Sequence, residues 1–214
     1  VRIMSLAAFS LPPSSSSPLL RCCVAAGLST GVLEIHLFDE VTGGFSRHPY
    51  RSSFHDYPIL SLCCPAAAAA TDDAAVLLPP PPPLFLSGDT VGRIAVWDVS
   101  KLTASDTTGE EERQKKGGEK AQQPSQERQL QGPAFVLEGA HQSGVNCLAA
   151  AWLSSDKLIV VSGGDDQALS AAVLSVVRGK ERLETSVVTR GMVELAHLSA
   201  IKGTGMIDWF GCLI

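Results

Sequence analysis

The chain has 214 residues, of which 45% are hydrophobic and 18% are charged, and its formal net charge at pH 7 is −5. That hydrophobic fraction is enough to bury a sizeable core, whereas the negative charge argues against a chain-wide nucleic-acid-binding surface. No apolar run approaches the roughly 20 residues of a transmembrane helix, so we expect neither a membrane span nor a secretory signal.

Residues 1–54 predict a first unit of antiparallel strands. Ala26-Gly27 precedes a short polar turn, and small residues with glycine allow the backbone to reverse there. The segment Leu11–Pro18, with the sequence LPPSSSSP, predicts a loop. The predicted strands are Ile3–Phe9, Arg21–Ala26, Val32–Phe38 and an outer strand near Phe45–Tyr50.

Residues 55–139 repeat this pattern, with His55 ahead of the first strand. The clearest stretch is Phe85–Ser100, FLSGDTVGRIAVWDVS, where Ser-Gly precedes a polar turn and the next apolar strand ends in Trp-Asp. The apolar and β-branched residues on both sides of the turn suit a partly buried pleated surface. Ile59–Cys64 and Ala134–Leu137 predict the inner and outer strands of this second unit.

Two low-complexity insertions enlarge the second unit. Residues 65–83 contain a five-residue alanine run and a five-residue proline run, which predicts a stiff, extended segment with no core to join. Residues 101–132 are rich in Glu, Gln, Lys and Gly, which predicts disorder. Acidic residues interrupt the basic cluster Arg113–Lys120, so we favour a solvated linker over an RNA contact.

Residues 140–195 predict a third unit, and residues 196–214 the start of a fourth. In the third, the loop His141–Gly144 precedes the strands, and Ser162-Gly163 stands before the turn. In the fourth, His197 precedes a possible strand at Ile201–Ile207. The strands predicted for the third unit are Val145–Leu153, Leu158–Ser162, Ala168–Val176 and an outer strand through Val187-Val188.

The recurring Ser-Gly, turn and Trp-Asp pattern resembles the blades of WD-repeat β-propellers. Recurrence of such a unit at comparable spacing is typical of a propeller. We therefore predict an all-β fold, a partial β-propeller of about three to four WD-repeat blades. Blades of about 40–45 residues would need roughly 300 residues for a seven-bladed ring, so we expect a fragment of a larger propeller.

This resemblance implies a structural role for seven side chains. In WD repeats a loop His, a strand Ser, a turn Asp and a strand Trp form one buried hydrogen-bond network, which satisfies the polar groups of the turn. Val91 stands where the second unit should have its Asp, Ala172 stands near the Trp position of the third, and the first unit has neither, so the repeats look degenerate. The matching residues are His55, Ser87, Trp97, His141, Ser162, Asp166 and His197.

The alternative for these residues is a catalytic Ser–His–Asp set, which would need an exposed nucleophile. We prefer the structural role and expect no enzyme activity. The sequence contains no phosphate-binding glycine loop, no HExxH motif and no cofactor fingerprint, so we also expect no cofactor. The six cysteines lack CxxC spacing, which favours reduced, buried thiols over a metal site or disulfides and points to the cytoplasm.

The third unit also resembles a particular WD-repeat subfamily, the adaptors of the tRNA ribose 2′-O-methyltransferase that acts at the anticodon wobble position. The resemblance covers about two thirds of the chain, from about His55 onward. It rests on a His-Gln-x-Gly-hydrophobic-Asn loop at His141–Asn146, a Ser-Gly-Gly-Asp-Asp turn at Ser162–Asp166 and an Ala-His segment at Ala196–Gly203. The large insertions and the missing N-terminal propeller depart from that family.

The subfamily implies a non-catalytic adaptor that binds the methyltransferase as its protein partner and contacts tRNA through the complex. The methyl donor S-adenosylmethionine would then belong to the partner. The alternative is a generic WD-repeat scaffold for another protein complex. A second propeller in the neighbouring sequence would favour the adaptor.

Overall fold

The structure is a computed structural model that describes residues 1–11, 21–39, 43–46, 48–65, 80–103, 128–180 and 182–194. These residues contain fourteen β-strands and one short 3₁₀ helix at Ser100–Thr103. The strands in chain order are β1 Ile3–Leu11, β2 Arg21–Leu28, β3 Leu33–Asp39, β4 Gly44–Phe45, β5 Tyr50–Ser52, β6 Ile59–Cys63, β7 Leu84–Asp89, β8 Ile94–Asp98, β9 Arg128–Gln129, β10 Phe135–Leu137, β11 Val145–Trp152, β12 Lys157–Gly164, β13 Leu169–Arg178 and β14 Leu183–Val193.

The strands form three sheets, which follow one another along the chain except that β9 returns to the first sheet. The first blade has the order β1-β2-β3-β5-β9, with β4 also paired to β3; the second has β6-β7-β8-β10 and the third β11-β12-β13-β14. Neighbouring strands are antiparallel except β5 and β9, which run parallel. Consecutive strands joined by short turns pair with each other, as in the blades of a propeller.

The three central hairpins share one register, which makes their residues equivalent position by position. Gly27 pairs with Leu33, Gly88 with Ile94 and Gly163 with Leu169. Each turn contains one residue with positive φ at the same place, namely Gly31 (81°), Gly92 (84°) and Gln167 (62°). Glycine adopts this conformation without steric cost. The sequence therefore favours the repeated turn geometry in the first two blades, where Gly31 and Gly92 occupy this position.

The blades pack face to face through a contact that is also repeated. Ser5 Oγ donates to the carbonyl of Ile59 at 3.3 Å, and its equivalent Ser61 Oγ donates to the carbonyl of Val145 at 2.7 Å. The first residue of each new inner strand lies over a glycine of the preceding blade: a Cβ on Gly27 would come within 2.6 Å of Ile59, and one on Gly88 within 2.7 Å of Val145. The missing side chains let the sheets approach closely.

Two hydrophobic cores fill the spaces between the blades. One lies between the first and second blades and includes Phe85 and Trp97, which are 0% and 1% exposed; the other lies between the second and third blades. Burying a large apolar side chain contributes roughly 1.5–3 kcal/mol, so the interfaces between blades carry most of the hydrophobic stabilisation. The predicted all-β partial propeller is confirmed.

The strands of the second and third blades lie where the sequence pattern placed them, including the outer strand Ala134–Leu137, which is β10. The outer strand predicted near Phe45–Tyr50 is instead two short strands, β4 and β5, with residues 46, 48 and 49 outside any strand. The prediction of disorder is wrong at both ends of the insertion 101–132. Leu102 and Leu130 are 3% and 8% exposed and join the core between the first two blades. The backbone of Leu130 donates to the carbonyl of Arg51 at 2.7 Å, so this end of the insertion extends the first blade.

The expectation that residues 65–83 have no core to join also fails at their C-terminal end. Pro82 is buried, and the carbonyl of Pro83 accepts a hydrogen bond from the backbone of Val99 at 3.2 Å. Residues 66–79 and 104–127, and the predicted fourth unit with His197, lie outside the described residues.

Candidate functional site: the blade hydrogen-bond networks

The second blade contains a buried network of four side chains. His55 Nδ1 lies 2.9 Å from Asp89 Oδ2, and His55 Nε2 lies 2.7 Å from Ser87 Oγ. Trp97 Nε1 donates to Ser87 Oγ at 2.8 Å. Because an ionised Asp only accepts, His55 Nδ1 donates to Asp89, which leaves Nε2 to accept from the Ser87 hydroxyl.

Asp89 also organises the turn that follows it. Its carboxylate accepts hydrogen bonds from the backbone amides of Val91 and Arg93 at 3.1 and 3.0 Å and from Arg93 Nε at 2.8 Å. Burial opposes ionisation of Asp89, but the hydrogen bonds from His55 and Arg93 outweigh it and hold the pKa of Asp89 below its usual range. The carboxylate therefore stays ionised and locks the turn to the loop.

Asp89 corrects two statements made from the sequence. The second turn does not lack its aspartate, and this blade does hold a complete His–Ser–Asp–Trp set. The acid stands two residues after Ser87, whereas in the third blade it stands four residues after Ser162. Counting a fixed spacing from the serine missed it, although Asp89 is the one acidic residue between Ser87 and Trp97.

The third blade holds the same arrangement without a tryptophan. His141 Nδ1 lies 2.9 Å from Asp166 Oδ1, and His141 Nε2 lies 2.8 Å from Ser162 Oγ. Asp166 also accepts from the backbone amides of Gln142 at 2.8 Å and Ala168 at 3.1 Å. Although burial acts the other way, these bonds lower the pKa of Asp166. The register places Ala172 at the position of Trp97, as the sequence predicted.

The first blade has different residues at the positions equivalent to Ser87, Asp89 and Trp97. Ala26 is equivalent to Ser87, Leu28 to Asp89 and His36 to Trp97. His36 Nε2 instead lies 3.3 Å from Glu34 Oε2. The buried polar network is therefore confined to the second and third blades among the described residues.

No chemistry beyond hydrogen bonding is visible in these groups. The side chains of both histidines are fully buried, which is incompatible with the exposed nucleophile–base pair of a hydrolase. Within the described ranges, no three His, Cys, Asp or Glu side chains are placed to hold a metal ion. In the same ranges, no helix is long and apolar enough to cross a membrane.

The five described cysteines are in the thiol form. Cys23 and Cys147 are buried, while Cys22, Cys63 and Cys64 are partly buried. Burial raises the pKa of Cys63 to about 11 and that of Cys64 to about 12, the latter with help from Cys63 and Cys23. These two thiols are therefore protonated at neutral pH and poor nucleophiles.

No protein-family model matches the sequence, and no curated protein matches it significantly. Solved structures with a similar fold include a chain of the mitotic checkpoint complex (17% identity, TM-score 0.41, covering 84% of this chain and 37% of that one). A second is Hsv2 of Kluyveromyces lactis (12% identity, TM-score 0.42, covering 81% of this chain and 44% of that one). A third is Sqt1 of Chaetomium thermophilum bound to the N-terminus of the ribosomal protein L10 (18% identity, TM-score 0.38, covering 77% of this chain and 38% of that one).

The chain spans less than half the length of each of these proteins. The assignment of the fold rests on the repeated sheets, the shared register and the two His–Ser–Asp networks. The described part of the chain is a partial β-propeller built from WD-repeat blades.

Proposed function

We propose that this chain is a non-catalytic scaffold that supports ribose 2′-O-methylation of tRNA at the anticodon wobble position by binding the methyltransferase. The observation that carries the non-catalytic part is the full engagement of His55 and His141 inside the blades. Both imidazoles hold a loop against a turn, and neither has a free nitrogen for acid–base catalysis. We therefore expect partners to bind at the exposed loops rather than at these buried residues.

The loops gather at two ends of the blades. At one end, which we call the turn end, lie the turns between the second and third strands and the loops that lead into each blade. The opposite end contains the last residues of β6 and β8 and the first residues of β7 and β10. Exposed loops on a rigid scaffold are where propellers bind partners, so we place the methyltransferase at the turn end.

The tRNA role draws support from the motif residues of the third blade. His141, Ser162 and Asp166 form the buried network of the third blade, whereas Asn146 and Asp165 lie outside it. Asn146 Nδ2 donates to Asp165 Oδ1 at 2.6 Å across the exposed turn end. These two residues belong to the subfamily motif and are available to a partner, which favours a specific docking surface.

In this proposal the complex contacts tRNA, and S-adenosylmethionine binds the methyltransferase rather than this chain. The net charge of −5 suits an adaptor that leaves most RNA contacts to its partner. We place the complex in the cytoplasm. A generic scaffold in another protein complex is the alternative, favoured by the fact that both networks hold their own blades together and identify no particular partner.

The test is the wobble-position ribose methylation of tRNA, measured by mass spectrometry in cells depleted of the protein and rescued with variants. We expect methylation to be lost at that position alone, restored by the unaltered protein, and poorly restored by Asn146→Ala/Asp165→Ala. Arg182→Ala, an exposed change at the opposite end of the third blade, is the matched control and should restore it. Unchanged methylation on depletion would refute the tRNA role and leave the generic scaffold.

A further inference from the structure

Three backbone hydrogen bonds join two loops and two turns into one surface at the turn end of the second and third blades. The four segments lie side by side in the order 53–58, 90–93, 141–144 and 165–168, and we call their surface the turn platform. The bonds run from the amide of Thr90 to the carbonyl of Pro58 at 3.1 Å, from His141 to Gly92 at 3.2 Å and from Asp165 to Gly144 at 3.0 Å.

The turn platform exposes two apolar side chains on neighbouring segments. Tyr57 is 48% exposed and Val91 is 40% exposed, and the bond between Thr90 and Pro58 places the loop of the first beside the turn of the second. Both belong to the second blade, which packs against the first blade on one side and the third on the other. These side chains therefore stay exposed with both neighbouring blades in place.

Tyr57 is held in position by a stack of side chains that reaches into the core. The guanidinium carbon of Arg93 lies 5.9 Å from the centre of the Tyr57 ring and 5.8 Å from that of Phe54. Phe54 meets the buried Trp97 edge to face at 5.9 Å, and Arg93 Nε is bound to Asp89 at 2.8 Å. A side chain that is already ordered loses little freedom when a partner binds. Tyrosine is also enriched among the residues that contribute most to protein–protein binding.

The exposed charge of the turn platform is negative. Its exposed charged side chains are Asp56, next to Tyr57, and Asp165, in the turn of the third blade. Arg93 is the one lysine or arginine in the four segments, and it is paired with Asp89. Complementary charge favours the right partner, and like charge excludes the wrong one. The platform therefore favours a basic protein segment and repels the phosphates of RNA.

We infer that the turn platform binds an extended segment of a protein partner, in which an apolar side chain packs on Tyr57 and Val91 and flanking lysines or arginines face Asp56 and Asp165. The two acids belong to different blades, and neighbouring sheets pack about 10 Å apart. Two basic residues four positions apart in an extended chain are separated by about 13 Å, and the residue midway between them lies on the same face. The inference rests on the proposed scaffold role and names the chemistry of the partner.

The test measures the binding of fluorescently labelled peptides to the intact chain by fluorescence anisotropy. The probe is Gly-Lys-Ser-Leu-Ser-Lys-Gly, in which both lysines and the leucine share one face when the peptide is extended. One control peptide has serine in place of leucine, a second has glutamate in place of both lysines, and a labelled oligouridylate of six nucleotides represents RNA. We expect saturable binding of the probe, at least fivefold tighter than that of each control. A probe that does not saturate, or a control that binds as tightly, would overturn the inference.

Variants of the chain show whether the probe binds at the turn platform. Asp56→Lys and Tyr57→Ala change exposed side chains and should each weaken probe binding at least fivefold, whereas Asp56→Glu should preserve it. Glu184→Lys is the matched charge reversal, at an exposed residue near the opposite end of the third blade, and should leave binding unchanged. Equal midpoints of urea denaturation confirm that the variants are folded. Unaltered binding to both Asp56→Lys and Tyr57→Ala would contradict the assignment of the site.

The same variants separate this inference from the tRNA role. If depletion abolishes wobble methylation and Asp56→Lys/Tyr57→Ala restores it as fully as the unaltered protein, the platform is not the partner site and the tRNA role stands. If depletion leaves methylation unchanged while the peptides bind with the expected preferences, the tRNA role fails and the platform stands as the binding surface of another complex.

Discussion

His55 Nδ1 and Asp89 Oδ2 lie 2.9 Å apart with both side chains fully buried, and they join the loop that enters the second blade to the turn of that same blade. The Asp89 carboxylate also accepts hydrogen bonds from the backbone amides of Val91 and Arg93. One carboxylate therefore joins the His55 loop to two backbone positions of the turn. Charged groups are buried only when they are paired, so this contact should dominate the stability of the second blade.

Replacing Asp89 should therefore be costly. Asp89→Ala leaves His55, Arg93 and two backbone amides without their acceptor, and breaking a buried pair costs about 3–5 kcal/mol. Urea denaturation followed by tryptophan fluorescence measures this loss. Asp56→Ala, at an exposed residue of the neighbouring loop, is the control and should change the free energy of unfolding by less than about 0.5 kcal/mol. Equal effects of the two changes would contradict the central role of Asp89.

The two network serines should differ in importance. Ser87 Oγ bonds both His55 and Trp97, whereas Ser162 Oγ bonds His141 among the described side chains. Each buried polar group left without a partner costs about 1–3 kcal/mol. Because Ser87→Ala also removes the partner of Trp97, it should lower the free energy of unfolding by about 1–3 kcal/mol more than Ser162→Ala. The comparison needs only the two midpoints of denaturation, and a larger loss for Ser162→Ala would show that the tryptophan bond adds nothing.

Gly92 should not tolerate a side chain. Its φ is +84°, and an added Cβ would collide with the backbone carbonyl of His141. Gly139 has a φ of +56° but nothing within 4 Å of such an atom. Gly139→Ala therefore measures backbone strain alone, about 1–2 kcal/mol, while Gly92→Ala adds the collision between blades. We expect a clearly lower melting temperature for Gly92→Ala, and similar values for the two variants would argue against the close contact.

Acid should destabilise the protein through the network carboxylates. The folded pKa of Asp89 lies below its ordinary value, so the unfolded chain binds the proton more readily. Asp89 then contributes stability above the unfolded pKa of about 3.9, and this contribution is lost as the pH falls through the lower folded pKa.

The free energy of unfolding measured from pH 6 down to pH 3 should fall, and Asp89→Asn should flatten this fall while lowering stability at pH 6. An Asp98→Asn variant, at a residue that caps Ser100 on the surface side of the blade, provides the comparison. Identical pH profiles for Asp89→Asn and the unaltered protein would show that Asp89 is not the titrating group.

Cys63 and Cys64 should react slowly with thiol reagents. Their pKa values of about 11 and 12 leave almost no thiolate at pH 8, and the thiolate is the reacting form. Mass spectrometry after treatment with iodoacetamide should find both residues unmodified in the folded protein and labelled in urea. Rapid labelling without urea would mean that the C-terminal end of β6 becomes exposed in the folded protein.

The sequence alone determined the blade plan. Alternating apolar strands and the Ser-Gly and Trp-Asp signatures specify hairpins locally, because turn geometry and β-propensity depend on near neighbours in the chain. The resemblance to WD repeats, rather than local propensity, pointed to His55, Ser87, Trp97, His141, Ser162 and Asp166.

Only the tertiary structure decided which atoms complete the networks and which segments join the core. Asp89 takes the role expected at Val91 because its carboxylate, only two residues after Ser87, reaches His55 Nδ1 at 2.9 Å. Leu130 is buried because the first blade provides an edge to which it can hydrogen bond. These features depend on contacts between distant segments, which local sequence patterns do not encode.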